Sequence, residues 1–97
     1  MFDLKSNGNN EIYLSGRFDA SQTDKADSSF DLIDNNCIID LSELEYISSA
    51  GLGSLLKIHV RISKGGYKVT LKNVNKHIKE VFKYSGLDKV FVVEEKI

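Results

Sequence analysis

Two adjacent serines, Ser48 and Ser49, precede Ala50-Gly51-Leu52-Gly53 where a polar connector gives way to a helical apolar period. A serine there has an ordinary use, accepting a hydrogen bond from an orphan N–H of the first helical turn. It could instead be a functional hydroxyl. The glycines sharpen the question, because Gly inside a first helical turn costs roughly 0.5–1 kcal/mol relative to Ala. Two of them in three residues imply that something approaches the backbone closely, either a neighbouring strand or an external partner. On these grounds capping alone and a functional serine both stay open.

The other reactive side chains assemble into nothing catalytic. Cys37, His59 and His77 are too scattered for a metal site, since no second ligand lies at chelating spacing. Gly51-x-Gly53 is not a nucleotide loop, because the Gly-x-x-x-x-Gly-Lys-Ser/Thr pattern is absent. No Gly-x-Ser-x-Gly elbow starts a hydrolase triad. The expectation is a protein without catalysis, metal or cofactor of its own. His59 reads as a packed, hydrogen-bonded core or edge histidine, His77 as solvated, and Cys37 as a small buried hydrophobe.

The elements that must hold the two serines follow from the apolar periods. Residues 2–5 and Glu11–Phe18 alternate as strands, and the Ser6–Asn10 turn cluster between them predicts a hairpin. Ser21-Gln22-Thr23-Asp24 has the form of a capping box with Ser21 as acceptor. Ala26, Phe30 and Ile33 then recur at helical spacing up to the stop at Asp34-Asn35-Asn36. The β-branched run Cys37–Leu41 predicts a central buried strand, and residues 42–47 a connector anchored by Leu44, Tyr46 and Ile47. A helix opening near Ser48 or Ser49 carries Leu52, Leu55, Leu56, His59, Val60 and Ser63 on its predicted buried face and stops at Gly65-Gly66. A strand over residues 67–71 follows. Asn75 caps a last helix that buries Ile78, Val81, Phe82 and Ser85 and ends at Gly86, and residues 90–93 close as a strand. The order β-β-α-β-α-β-α-β predicts one α/β domain over residues 1–97, with a mixed, mostly parallel sheet of about five strands covered by three or four helices.

Composition sets the outer bounds. Ninety-seven residues make one core, and 41% hydrophobic with 28% charged residues excludes intrinsic disorder. No apolar run is long enough for a transmembrane helix or signal-peptide core, so a cytoplasmic domain is expected. The net charge of −1 hides a division, −7 over residues 1–48 and +6 over residues 49–97. Both halves carry apolar periodicity, so they fold together and their fields partly cancel. The lysines are not interleaved with exposed-looking aromatics and no nucleic-acid motif accompanies them, which argues against direct nucleic-acid binding. Lys57, Arg61 and Lys64, and Lys72, Lys76, Lys79 and Lys83, read as solvated helix faces, with docking to an acidic partner or to lipid headgroups as the alternative.

Ser49-Ala50-Gly51-Leu52-Gly53, preceded by Asp40-Leu41-Ser42 and the Leu44/Tyr46/Ile47 connector, resembles the signature of STAS domains, most of all bacterial anti-sigma factor antagonists. Gly16-Arg17-Phe18-Asp19, Gly65-Gly66 before a strand, and Ser85-Gly86-Leu87 after a helix extend the resemblance over nearly the whole chain. It implies the STAS fold and a phosphorylation-controlled binding switch. The implied partner is an anti-sigma factor that is also a serine kinase of the histidine-kinase-like ATPase fold. Binding it releases a sigma factor for transcription, and a metal-dependent serine phosphatase reverses the modification. Carried onto this chain, the phosphoacceptor is Ser49, and Ser48 stands where the family has Asp. That departure leaves the acceptor in place, removes a carboxylate from the kinase-facing loop, and leaves Ser48 as the alternative acceptor. Asp19 matches the family's other acidic position, beside the helix mouth; its ordinary reading is a turn or cap residue. The implied partner surface is Asp19, Ser48, Ser49, Ala50, Gly51, Leu52 and Gly53. The rival within the same fold is a non-phosphorylated STAS subunit of a lipid-transport or signalling complex.

Overall fold

The computed structural model describes residues 1–8 and 10–95; Asn9, inside the predicted turn cluster, lies outside them. Strand β1 (Asp3–Ser6) pairs antiparallel with β2 (Glu11–Phe18) as the predicted hairpin. Helix α1 (Thr23–Phe30), strand β3 (Cys37–Ile47), helix α2 (Ser49–Lys64), strand β4 (Val69–Val74), helix α3 (Lys76–Ser85) and strand β5 (Val92–Glu95) follow. The sheet order is β1-β2-β3-β4-β5, with every pair after the hairpin parallel. Strands laid side by side in chain order, with the three parallel pairs each joined by a right-handed crossover, put all three helices on one face. That face carries the core: Ile12, Leu14, Phe18, Ile39, Leu41 and Leu71 from the sheet, meeting Phe30, Leu55, Ile62, Ile78 and Phe82 from the helices. Tyr13, Arg17 and Lys72 point from the opposite, uncovered face.

Strand β3 is twice as long as the predicted one and absorbs the predicted connector. Its pairing with β2 slips twice, Tyr13↔Asp40 giving way to Ser15↔Glu43, and Gly16↔Leu44 to Arg17↔Tyr46. Each slip inserts an extra β3 residue, a bulge that breaks the period of two. Alternation in the sequence is broken at the same places.

Four other boundaries move. Helix α1 ends at Phe30, and Ile33 is buried from the loop beyond it. The Arg61 guanidinium donates to the Phe30 and Ile33 carbonyls, both at 2.7 Å, and so closes the helix end from outside. The start of α1 has no Ser21 cap. Asp19 takes that role one element earlier, heading a 3-10 turn over Ala20–Gln22. The buried stripe of α2 is Leu52, Leu55, Ile58 and Ile62, so Val60 and Ser63 face solvent instead of the core. Strands β4 and β5 each start two residues later than predicted. The predicted limits of α3 stand: Asn75 caps its start, accepting from Ile78 N–H at 2.9 Å, and Gly86 ends it at φ +79°.

Candidate functional site

The mouth of α2 is built by three neighbouring chain segments. β2 ends at Phe18, whose carbonyl accepts from Ser48 N–H at 2.9 Å, and Phe18 pairs with Ile47 in the sheet. Ser48 is the N-cap in extended geometry (φ −86°, ψ 170°), and its Oγ accepts from Gly51 N–H at 3.1 Å. Leu52 N–H closes the first helical bond to the Ser48 carbonyl at 2.9 Å. Ser48 is half-buried with its hydroxyl engaged, whereas Ser49, the first helical residue, is exposed together with Ala50. The pair therefore divides the two uses of serine between them: one caps, the next is open to solvent.

The two glycines divide as well. A Cβ on Gly51 would lie 2.9 Å from both the Phe18 carbonyl oxygen and Ile47 Cγ1, so this glycine lets the helix seat against the end of β2. A Cβ on Gly53 would meet nothing within 4 Å. The neighbouring strand accounts for the first and no part of the fold accounts for the second.

Asp19 follows Phe18 directly and so stands beside the mouth. Its Oδ1 accepts from Ser21 Oγ at 2.6 Å and Ser21 N–H at 3.0 Å. The Ser21 hydroxyl is the main reason its carboxyl sits below the ordinary aspartate range; the Ser21 N–H and the Arg17 charge act in the same direction and outweigh desolvation. Asp19 is thus a turn cap and, at the same time, an ionised carboxylate at the rim. Leu52 and Gly51 are both buried. Of the seven residues singled out in the sequence, Ser49, Ala50 and Gly53 are open to solvent, and Ser48 and Asp19 partly so.

One feature of the rim was missed. The Arg17 guanidinium lies over the Tyr46 ring, 4.3 Å from its centroid, on the uncovered sheet face two residues from Ser48. The outward phase of β2 carried that signal, because Phe18 in the core forces Arg17 out.

Deeper in the sheet, Asp40 is buried with its carboxylate satisfied: Oδ1 accepts from Ser42 N–H at 2.8 Å and Oδ2 from Asn73 Nδ2 at 2.9 Å. Burial pushes its carboxyl up, but the bonds from Ser42 and Asn73 and the Lys72 charge win, leaving it below the ordinary range. Burial pushes the Cys37 thiol up to about 11, so it is a protonated core side chain. The His59 ring packs edge-on to Phe91 at 5.0 Å, as a packed histidine should, but its buried Nδ1 has no hydrogen-bond partner among the described residues, against the expectation. Among the described residues no group of three His, Cys, Asp or Glu side chains could hold a metal ion. Nor is any helix among them long and apolar enough to cross a membrane.

Comparison with known proteins adds the following. The family model of the STAS domain matches residues 7–97. A Bordetella bronchiseptica protein named provisionally as the anti-sigma factor antagonist BtrV is 32% identical over 74 residues, which is 76% of this chain and 58% of that protein. This chain thus spans less than two thirds of that relative. A Thermotoga maritima crystal structure, provisionally described as an anti-sigma factor antagonist, superposes with a TM-score of 0.81 at 23% identity, covering all of this chain and 88% of that one. The Bacillus cell-fate determinant SpoIIAA in its phosphorylated form gives 0.70 at 17% identity, covering 96% and 90%. SpoIIAA in its unphosphorylated form, described as an anti-sigma factor antagonist, gives 0.68 at 15%, covering 93% and 97%. At those identities the structural likeness establishes the fold, with its five-stranded mixed sheet and three helices.

Proposed function

The chain belongs to the STAS domain family, and from that premise we propose that it is a cytoplasmic anti-sigma factor antagonist, a binding switch set by phosphorylation of Ser49. In its unphosphorylated form it binds an anti-sigma factor that is also an ATPase-fold serine kinase, and so releases a sigma factor. Phosphorylation ends that binding, and a metal-dependent phosphatase restores it. The chain itself performs no catalysis in this scheme.

The observation that supports the reading best is the division of labour between the two serines. A kinase needs a hydroxyl it can reach. Ser48 has its oxygen turned into the first helical turn, and Ser49 has its side chain in solvent at the helix mouth. Asp19, held ionised by Ser21, stands on the same rim and joins Ser48, Ala50, Gly51, Leu52 and Gly53 in the proposed contact surface. The names of the Bordetella and Thermotoga proteins point the same way. Ser48 in the family's Asp position is the observation on the side of the rival, a non-phosphorylated subunit of a lipid-transport or signalling complex.

The test uses the ATPase-fold serine kinases encoded in the same genome, each purified and incubated with Mg-ATP and the wild-type chain. Phosphopeptide mass spectrometry is expected to find phosphate on Ser49 and none on Ser49→Ala protein. Binding without phosphorylation by any of them would favour the rival.

A further inference from the structure

Gly53 is a helix residue with no internal reason to be glycine, and what lies along its row is apolar. Positions 49, 53, 56 and 60 fall on one outward stripe of α2, at the steps of four, three and four that share a helix face. Leu56 is half-buried and Val60 is 43% exposed, although both were predicted to face the core. With Gly53 between Ser49 and Leu56, the stripe is a shallow apolar trough with a notch. It forms an open cleft of about 380 Å³ lined by Gly53, Leu56, Lys57, Val60, Arg61 and Lys64. One flank of the trough is basic. Lys57 already pairs with Asp27 at 2.8 Å, and Arg61 holds two carbonyls of the α1 end, while Lys64 has no ion-pair partner among the described residues.

We propose that this trough is a docking groove for an acidic amphipathic α-helix of the kinase partner, separate from the phosphoacceptor it serves. The groove fits a helix because its apolar row is linear and its notch admits one large side chain where two helix backbones come closest. The occupant's charge is set by the flank: carboxylates beside its apolar row meet Lys64 and the N–H groups that Arg61 has left. Val60 lies roughly 16 Å along the helix from Ser49, at 1.5 Å per residue. The docked helix therefore lies beside the kinase's catalytic centre, from about 6 Å beyond Ser49 at Gly53 outward, while Ser49 reaches into it. The inference rests on the kinase-binding reading above.

Steady-state phosphorylation by the purified ATPase-fold kinase that modifies wild type, with Mg-ATP, tests it. Gly53→Gln fills the notch and, as a better helix former, raises the melting temperature. Val60→Glu puts a negative charge into the groove at an exposed position. Each is expected to raise KM for the protein substrate about tenfold, the order of one well-packed interface side chain, with the loss falling on KM and not kcat. A rise in thermal stability with a loss of kinase affinity in Gly53→Gln is a result that a purely structural role for Gly53 does not give. Unchanged KM in Val60→Glu overturns the groove whatever Gly53→Gln does, because Gly53 also borders the phosphoacceptor rim, and so does a loss confined to kcat. A concentration-dependent dimer in analytical ultracentrifugation that Val60→Glu abolishes would assign the groove to a second copy of the chain and overturn it too. If no kinase modifies or binds wild type, the kinase reading itself fails and the groove's occupant fails with it.

Discussion

Replacing Ser48 and Ser49 one at a time by alanine should separate stability from modification. Ser48 Oγ accepts from Gly51 N–H at 3.1 Å in N-cap geometry. Losing such a cap to alanine costs about 1 kcal/mol, within a range of about 0.5–2. For a domain under about 100 residues, that lowers the melting temperature by about 4–8 °C. Ser49 carries no cap bond and is exposed at a helical position where alanine is the best former. Its replacement should change stability by less than about 0.5 kcal/mol. Phosphorylation should follow the opposite pattern, surviving in Ser48→Ala and vanishing in Ser49→Ala. Thermal melts by circular dichroism measure the first property, and kinase incubation followed by mass spectrometry the second. A Ser49→Ala protein as destabilised as Ser48→Ala, or one still phosphorylated at the helix mouth, would refute the division of roles.

Three further outcomes are expected. The two glycines of α2 should respond to alanine with opposite signs, measured by urea unfolding: Gly51→Ala loses about 1–3 kcal/mol by overpacking against Phe18 and Ile47, and Gly53→Ala gains about 0.5–1. Asp40, whose folded carboxyl is held below its unfolded value near 3.8, adds stability above that pH and loses it as pH falls through the folded value. Unfolding midpoints followed down to pH 2 should therefore decline less steeply in Asp40→Asn than in wild type. Protein phosphorylated at Ser49 should keep its far-ultraviolet spectrum and melting temperature while its affinity for the kinase, measured by calorimetry, falls about a hundredfold.

Fold and site were legible in the sequence to different depths. The element order was readable because three helices and four of the strands keep their own periods, and because Asn75, Gly65-Gly66 and Gly86 punctuate them. β3 was only half readable. Its two bulges put Ser42, Glu43 and Glu45 out of phase with Leu44 and Ile47, and a period of two with two insertions looks like a connector. The α2 stripe is ambiguous in the sequence because Leu56 and Val60 are about as apolar as Ile58 and Ile62. Only the sheet behind the helix decides which of two overlapping rows is buried. Ser48 and Ser49 were legible as a pair, and the assignment of cap to one and exposure to the other needed the backbone at Ser48. Asp19 was legible as acidic and adjacent; its bond to Ser21 was not, because a side-chain acceptor reaching forward two residues looks the same as a Ser21 cap.

The place of Ser49 also says how its modification could work. A phosphoserine there adds about −1.5 to −2 charges near neutral pH. The first helical turn offers orphan N–H groups and the positive end of the macrodipole, which favour an anion by roughly 0.3–1 kcal/mol. Within the domain, then, the phosphate sits on the stabilising side of zero, and nothing in the core has to move to receive it. The surroundings are different. Asp19 is ionised one residue beyond Phe18, and Glu43 and Glu45 stand exposed on the strand that leads to Ser48. A partner closing over this rim would have to desolvate a dianion beside carboxylates, and a hundredfold loss of affinity requires only about 2.7 kcal/mol. A phosphate at this position can therefore weaken an interface by more than it stabilises the helix, and the proposed switch needs no second conformation of the domain.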